Sequence, residues 1–183
     1  MKIGPLPLAG AFLITPEPAE DDRGAFARLF CAETFAAHGL ADRFEQVSSS
    51  YNRRAGTLRG LHLQRPPHAE TKLVRATAGA VFDVLVDLRA GSATYGRWHG
   101  LTLSAENRAQ IYIPPGFAHG FQSLSDGAEL TYHITPPYVP GVQDGVRFDD
   151  AALAIAWPDP GAAILSDRDR GLPSLAQFQP IEV

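Results

Sequence analysis

The chain is poor in several things, and each scarcity excludes something. It has one cysteine, Cys31, in 183 residues, so no disulfide can form within it, and this usage fits a reducing cytoplasmic setting better than a secreted scaffold. Nowhere is there an uncharged apolar run near the roughly 18 residues needed to span a bilayer. The apolar stretch from Ile3 to Ile14 is interrupted by Pro5 and Pro7 and is expected to be a first strand rather than a signal peptide. No membrane association is expected. There is also no Lys/Arg block, and 16 basic against 20 acidic side chains leave a net charge of -4. Nucleic acid is therefore not an expected partner, although a local basic pocket could still hold a small anion. Internal repeats and low-complexity linkers are missing as well. Residues 1–183 are expected to form one domain, and 45% hydrophobic residues can fill a core without metal or disulfide staples.

What the chain does have is turn formers, 17 Gly and 15 Pro, which suggests many short strands and few long helices. The clearest helix runs from Ala32 to His38, with Phe35 on its apolar face and Gly39 as its stop. A second short helix is expected after Ser166. From Thr57 onward the pattern has period two. Phe82, Val84, Val86 and Leu88 alternate with Val81, Asp83, Leu85 and Asp87, so a strand there puts both acids on one face and a core on the other. Further strands are expected at Arg97 to Leu103 and Ala109 to Ile113. Phe117 to Leu124 and Ala128 to Ile134 flank Asp126-Gly127, the signature of a tight hairpin turn. Antiparallel strands at regular spacing predict an all-β sandwich or barrel, best satisfied by a double-sheet jelly roll.

Several polar residues stand out against this background. The segment GTLRGLHLQ, Gly56 to Gln64, sets Arg59 and His62 in an apolar strand. A buried guanidinium needs an acid or an anionic ligand, while His62 is either a satisfied core histidine or a base poised near neutral pH. Strict alternation separates the two onto opposite faces. For both to serve one pocket, Gly60 must mark a bulge. Lys72 reads as a solvated strand lysine, or, if it points inward, as a fixed charge for a developing oxyanion. In IPPGFAHGF, Ile113 to Phe121, His119 completes the Pro-x-Gly-x-x-His pattern of the second cupin metal motif, but His62 is followed by Leu63 and Gln64 where a metal cupin has a further His and then Glu. Two histidines and a glutamine fall short of a catalytic metal set. Tyr132 is either a barrel-lining aromatic or a proton donor. Asp169, three residues after Ser166, either belongs to a helix cap or orients the His62 imidazole.

Taken together, the blocks DDRG (Asp21 to Gly24), GTLRGLHLQ, KLVRATAGAVFDVLVDLR, SATYGRWHGLTLSAENRAQIYIPPGFAHGF, AELTY, VRFDD and ILSDRDR closely resemble the dTDP-4-dehydrorhamnose 3,5-epimerases. The likeness runs from about Glu20 to Leu172, in order and correctly spaced. It implies a cupin-type jelly roll that needs no metal and no cofactor, works as a homodimer with strand exchange, and epimerises C3 and C5 of a nucleotide-linked 4-keto-6-deoxy sugar, with dTDP-4-dehydro-6-deoxy-D-glucose the leading substrate.

Carried over by residue, the resemblance makes His62 the general base, Asp169 its hydrogen-bonded partner, Tyr132 the opposing acid and Lys72 the stabiliser of the enolate oxygen. His119 lines the sugar pocket. Arg59 takes the diphosphate together with Arg23 from the neighbouring subunit, Phe26 and Tyr138 sandwich the base, and Gln46 adds a polar contact. Three positions depart from the family pattern near the expected nucleotide site: Arg28, His133, and the Ser48-Ser49 pair. A C3-only or C5-only epimerase acting on another nucleotide sugar would keep the same core residues. More distant alternatives are a metal-dependent cupin enzyme using His68 or Glu70 as a third ligand, a noncatalytic sugar-binding module, and a ketoisomerase on the same scaffold.

Overall fold

The computed structural model describes residues 1–183. Its strands are β1 (Lys2–Pro5), β2 (Phe12–Thr15), β3 (Ala19–Asp21), β4 (Gly24–Phe26), β5 (Gln46–Asn52), β6 (Leu58–Gln64), β7 (Thr71–Ala78), β8 (Ala80–Asp87), β9 (Trp98–Ser104), β10 (Gln110–Ile113), β11 (Phe117–Ser123), β12 (Ala128–Thr135) and β13 (Gln143–Gly145). Two short helices interrupt them, α1 (Ala32–Ala37) and α2 (Asp167–Arg170). One antiparallel sheet has the order β1-β2-β10-β7-β12-β5, and a second, β13-β6-β11-β8-β9, faces it. This is the all-β, two-sheet jelly roll that the pattern predicts. β3 and β4 form a separate two-stranded hairpin that joins neither sheet. No helix is long and apolar enough to cross a membrane.

The core between the layers follows from the alternation. Val74, Ala76, Ile111, Ile113 and Leu130 from one sheet pack against Val81, Leu85, Leu103, Phe117 and Phe121 from the other. A second cluster lies on the outside of the five-stranded sheet, where Val84, Val86 and Leu88 meet Val146, Leu153, Trp157, Phe178 and Ile181 from the C-terminal segment. Both faces of β8 are therefore buried, and Asp83 and Asp87 point inward rather than to solvent. On the outside of the six-stranded sheet, α1 buries Phe35 against Ile14, Leu73 and Tyr112. The helix itself falls where its apolar face and the Gly39 stop place it, with Gly39 at φ +69°.

Two expectations need correction. The run from Ile3 to Ile14 is not one strand but the pair β1 and β2, registered from Lys2 opposite Thr15 to Pro5 opposite Phe12. The turn at Asp126-Gly127 is tight, yet it does not close a hairpin. β11 pairs with β6 and β8 in one sheet, whereas β12 pairs with β5 and β7 in the other. The turn is a corner between layers, because Phe121 and Leu130 stabilise the chain by meeting across the core rather than side by side.

The local irregularity that matters most is in β6. His119 is opposite His62, but two residues later Phe121 is opposite Arg59, three residues back, so β6 carries one extra residue. Leu58, Leu61 and Leu63 all pack in the outer cluster, which leaves Arg59, His62 and Gln64 facing inward. Gly60 absorbs the offset. Its φ is +124°, and a Cβ there would lie 2.6 Å from the Gly120 Cα and 2.8 Å from the His119 carbonyl oxygen. Backbone meets backbone at this point, so only glycine fits.

A buried ionic network closes the end of the barrel near Gly116. The Asp87 carboxylate accepts from Arg89 Nε at 2.9 Å and Nη2 at 2.7 Å, from Ser92 Oγ and Thr94 Oγ1 at 2.6 Å each, and from the Arg89 N–H at 3.0 Å. The Arg89 guanidinium also lies over the Phe117 ring at 4.5 Å. Burial alone would raise the Asp87 pKa, but these hydrogen bonds outweigh it and hold it down, to about 2.

Asp87→Asn, which removes the charge and one acceptor, is expected to cost about 2–3 kcal/mol and lower Tm by roughly 4–10 °C, read by a thermal melt. Because the folded carboxyl titrates below the unfolded one, its contribution is complete above about pH 4 and fades as the pH falls toward about 2. The wild type should lose more Tm across that window than Asp87→Asn. Gly24 shares Gly60's backbone geometry at φ +126° but has nothing within 4 Å of its Cβ position. Gly24→Ala should cost about 1 kcal/mol or less, whereas Gly60→Ala should cost about 3 kcal/mol or more. Equal costs in the same denaturation experiment would contradict the close approach at Gly60.

Candidate active site

The bulge at Gly60 brings Arg59 and His62 to one cavity of about 420 Å³ between the sheets. Lys72 from β7, His119 from β11, Tyr132 from β12, Gln46 from β5, Tyr138 from the loop after β12 and Asp169 from α2 also line it. Eight of the ten residues singled out from the sequence thus converge. The other two, Arg23 and Phe26, do not. They sit on the β3-β4 hairpin, where the Phe26 residue is 81% exposed and the Arg23 side chain, paired with Asp21, is 89% exposed.

His62 Nε2 lies 2.7 Å from Asp169 Oδ1. A carboxylate can only accept, so Nε2 carries the proton and Nδ1 of the neutral ring keeps its lone pair. Both readings of Asp169 hold. Its backbone N–H donates to Ser166 Oγ at 3.1 Å, capping α2, while its carboxylate also accepts from the Gly60 N–H at 3.3 Å. Burial pushes the Asp169 pKa up, but the bonds from His62, Gly60 and Ser166, joined by the His62 charge when that ring is protonated, leave it lowered overall. The segment bearing Asp169 is pinned to β6 by the Leu58 N–H donating to the Ile164 carbonyl at 2.9 Å.

Opposite His62 in the strand register stands His119, whose Nε2 lies 2.8 Å from Asp83 Oδ2. Both are buried, and Asp83 Oδ1 has no partner. The His119 ring meets Tyr132 edge-on at 5.8 Å. Burial, reinforced by the Asp83 charge and opposed by Arg59, pushes the Tyr132 pKa far up. At neutral pH the phenol holds its proton. Lys72 is not a solvated lysine. It is 8% exposed, with Nζ 2.8 Å from Glu70 Oε1 and donating to the His62 carbonyl at 3.3 Å.

The expected burial of Arg59 needs correction, and of its two expected partners, an acid of the protein or an anionic ligand, the structure provides no acid. It is exposed at the cavity mouth, donating from Nε to Asn52 Oδ1 at 2.9 Å and from Nη2 to the Tyr51 carbonyl at 3.4 Å. Arg168, also exposed, lines the same cavity. Gln46 uses both ends of its amide inside the protein: Oε1 accepts from the Tyr138 N–H and Nε2 donates to Ser48 Oγ, each at 2.9 Å. It holds the Tyr138 loop in place, with Gln64 Oε1 accepting from the Val139 N–H at 2.6 Å.

Of the departures from the family pattern, Ser48 and Ser49 line the cavity. His133 and Arg28 do not. His133 follows Tyr132 and so points to the other side of β12, with its ring against Phe44 at 5.9 Å. Arg28 reaches toward Cys31, with Nη1 3.9 Å from the sulfur. No three His, Cys, Asp or Glu side chains gather as a metal-holding group, and Glu70, one of the candidate ligands, is taken by Lys72. Residues that the sequence reading did not place at the site include Asp83 and Arg168, and Glu70 was considered there only as a metal ligand, not as the partner of Lys72. Period two already turned Asp83 to the same face as Leu85, but nothing local shows that His119 of another strand meets it.

Known proteins resemble the chain in sequence and in fold. The profile of the dTDP-4-dehydrorhamnose 3,5-epimerase family matches residues 5–177. The enzyme of that name from Sinorhizobium fredii is 42% identical over 173 residues, covering 94% of this chain and 89% of its own. A dTDP-4-dehydrorhamnose 3-epimerase from Streptomyces niveus is 41% identical over 178 residues, 97% of this chain and 85% of its own. The crystal structure of the dTDP-6-deoxy-D-glucose-3,5-epimerase of Legionella pneumophila, in complex with dTDP-4-keto-L-rhamnose, superposes with a TM-score of 0.93 at 38% identity, covering 100% of this chain and 98% of that one. With sequence and fold matched along nearly the whole length, the chain belongs to the dTDP-4-dehydrorhamnose 3,5-epimerase family of isomerases.

Proposed function

We propose that this protein inverts C3 and C5 of a dTDP-linked 4-keto-6-deoxy sugar through an enolate, using His62 as base and Tyr132 as acid. The observation that carries the reading is one cavity lined by a carboxylate-oriented imidazole, a phenol held protonated, and an inward-facing ammonium. A C4 ketone acidifies the neighbouring C–H groups, and a neutral imidazole suits their removal when an ionised carboxylate stabilises the imidazolium. Lys72 then acts where negative charge develops on the C4 oxygen, an effect worth about 3–4 kcal/mol for a well-placed donor. Proton return from Tyr132 on the opposite side inverts the centre. His119 lines the sugar site.

The diphosphate is assigned to Arg59, whose planar charge at the cavity mouth suits phosphate oxygens, with Arg168 nearby. Arg23 and Phe26 join from a second subunit in a homodimer with exchanged hairpins. What supports this is an arm that buries neither residue on its own chain, while Tyr138, which lines the cavity, is itself 44% exposed. Phe26 of the partner subunit would stack the base against Tyr138. The lone cysteine supports a cytoplasmic location. Inversion at C3 alone is the second reading, favoured by the Streptomyces niveus relative named for that position.

Incubation with dTDP-4-dehydro-6-deoxy-D-glucose, followed by NMR of the sugar, should show inversion at both carbons. Inversion at C3 only would replace the proposal with the second reading, and no inversion would reject both. His62→Ala should lower kcat at least several hundredfold, within the roughly 100 to 10,000-fold that a general base contributes. Phe26→Ala should raise KM about tenfold with kcat nearly unchanged, since a base-stacking contact acts equally on ground and transition states.

A further inference from the structure

Glu70 immediately precedes β7 and stands two residues from Lys72, so the two side chains share the inward face of the chain. Both residues are 8% exposed. The carboxylate is used at both oxygens. Oε1 pairs with Lys72 Nζ at 2.8 Å, and Oε2 accepts from the Gln64 N–H at 2.8 Å. Lys72 donates a second N–H to the His62 carbonyl at 3.3 Å. An ammonium has three N–H bonds on a long, flexible stem. With two of them committed to fixed acceptors on β6 and beside β7, the third has a defined direction at a cavity wall shared with His62 and Tyr132.

We infer that Glu70 is a positioning residue for the epimerisation, acting through Lys72 to aim its free N–H at the oxygen that becomes the enolate. The inference rests on the reaction proposed above. A carboxylate suits the position for a reason of hydrogen-bond arithmetic. Both of its neighbours are donors, the Gln64 amide and the Lys72 ammonium, so two acceptors are needed. A glutamine supplies one acceptor and sets its own NH2 against a donor. The negative charge of Glu70 offsets part of the field of Lys72, so the inference is that fixed orientation outweighs that loss, as preorganised dipoles outweigh mobile ones in a dry site.

The test is a double-mutant cycle in steady-state epimerisation, using wild type, Glu70→Ala, Glu70→Gln, Lys72→Met and the two double mutants, with a thermal melt of each. Wild-type turnover in the same assay tests the parent reading separately. Glu70→Ala should lower kcat by about 10 to 100-fold with KM within about twofold, the scale of a misplaced catalytic group. Glu70→Gln should fall between Glu70→Ala and wild type. In the Lys72→Met background either substitution should change the residual kcat by less than about twofold, because its effect has no other route. A cost that is the same in both backgrounds would overturn the inference and mark Glu70 as a structural residue. So would Glu70→Gln with wild-type or higher kcat, or a rise in KM alone. Should Glu70→Ala fail to fold, Glu70→Gln is close to isosteric and completes the cycle by itself.

Discussion

One close approach of backbone to backbone governs the site. Where β6 crosses β11, Gly60 and Gly120 leave no room for a side chain, and the extra residue at Gly60 resets the alternation of β6. Before the bulge Leu58 points outward and Arg59 inward; after it Leu61 points outward and His62 inward. A regular strand would send either Arg59 or His62 into the outer apolar cluster, where an unpaired charged or polar group costs several kcal/mol. The same bulge frees the Gly60 N–H to meet Asp169. Register, charge placement and the orientation of His62 are thus set at a single point.

Around that point the protein builds two His–Asp pairs on adjacent strands. His62–Asp169 is half-open to the cavity, with the imidazole 20% exposed, and His119–Asp83 is closed, at 4% and 0%. Their different burial gives them different work. In the proposed reaction the open pair reaches a substrate atom and exchanges protons with it. The closed pair holds the wall against which Tyr132 packs, and the Asp83 charge helps keep that phenol protonated. Lys72 connects to the proposed base by its bond to the His62 carbonyl, while Tyr132, the proposed acid, meets the edge of the His119 ring from the other sheet.

Much of this was legible in the chain. The alternation in β8, the α1 stop at Gly39 and the Ser166 cap of α2 follow from local chemistry and appear as expected. The bulge at Gly60 was required as soon as Arg59 and His62 were assigned to one pocket. What failed was pairing. Asp126-Gly127 specifies a tight turn, but turn chemistry does not say whether the next strand folds beside the last one or across the core from it. For the same reason the Asp83 to His119 and Glu70 to Lys72 contacts escaped notice, the first because it is made between neighbouring strands far apart in sequence, the second because Lys72 alone reads as solvated. The exposed β3-β4 hairpin was not legible, since a strand of three residues such as Gly24–Phe26 leaves almost no periodic signal; the family resemblance singled out only Arg23 and Phe26 within it.

The proposed epimerisation removes and returns a proton from opposite sides of the sugar, and heavy water separates the two events. With Tyr132→Phe, His62 should still remove the proton and its imidazolium, once exchanged with solvent, return deuterium from the same side. NMR should then show deuterium entering C3 or C5 with configuration retained, and inversion slowed at least about 100-fold, the lower end of what a general acid contributes. Inversion at the wild-type rate in Tyr132→Phe, or loss of exchange as complete as in His62→Ala, would contradict it.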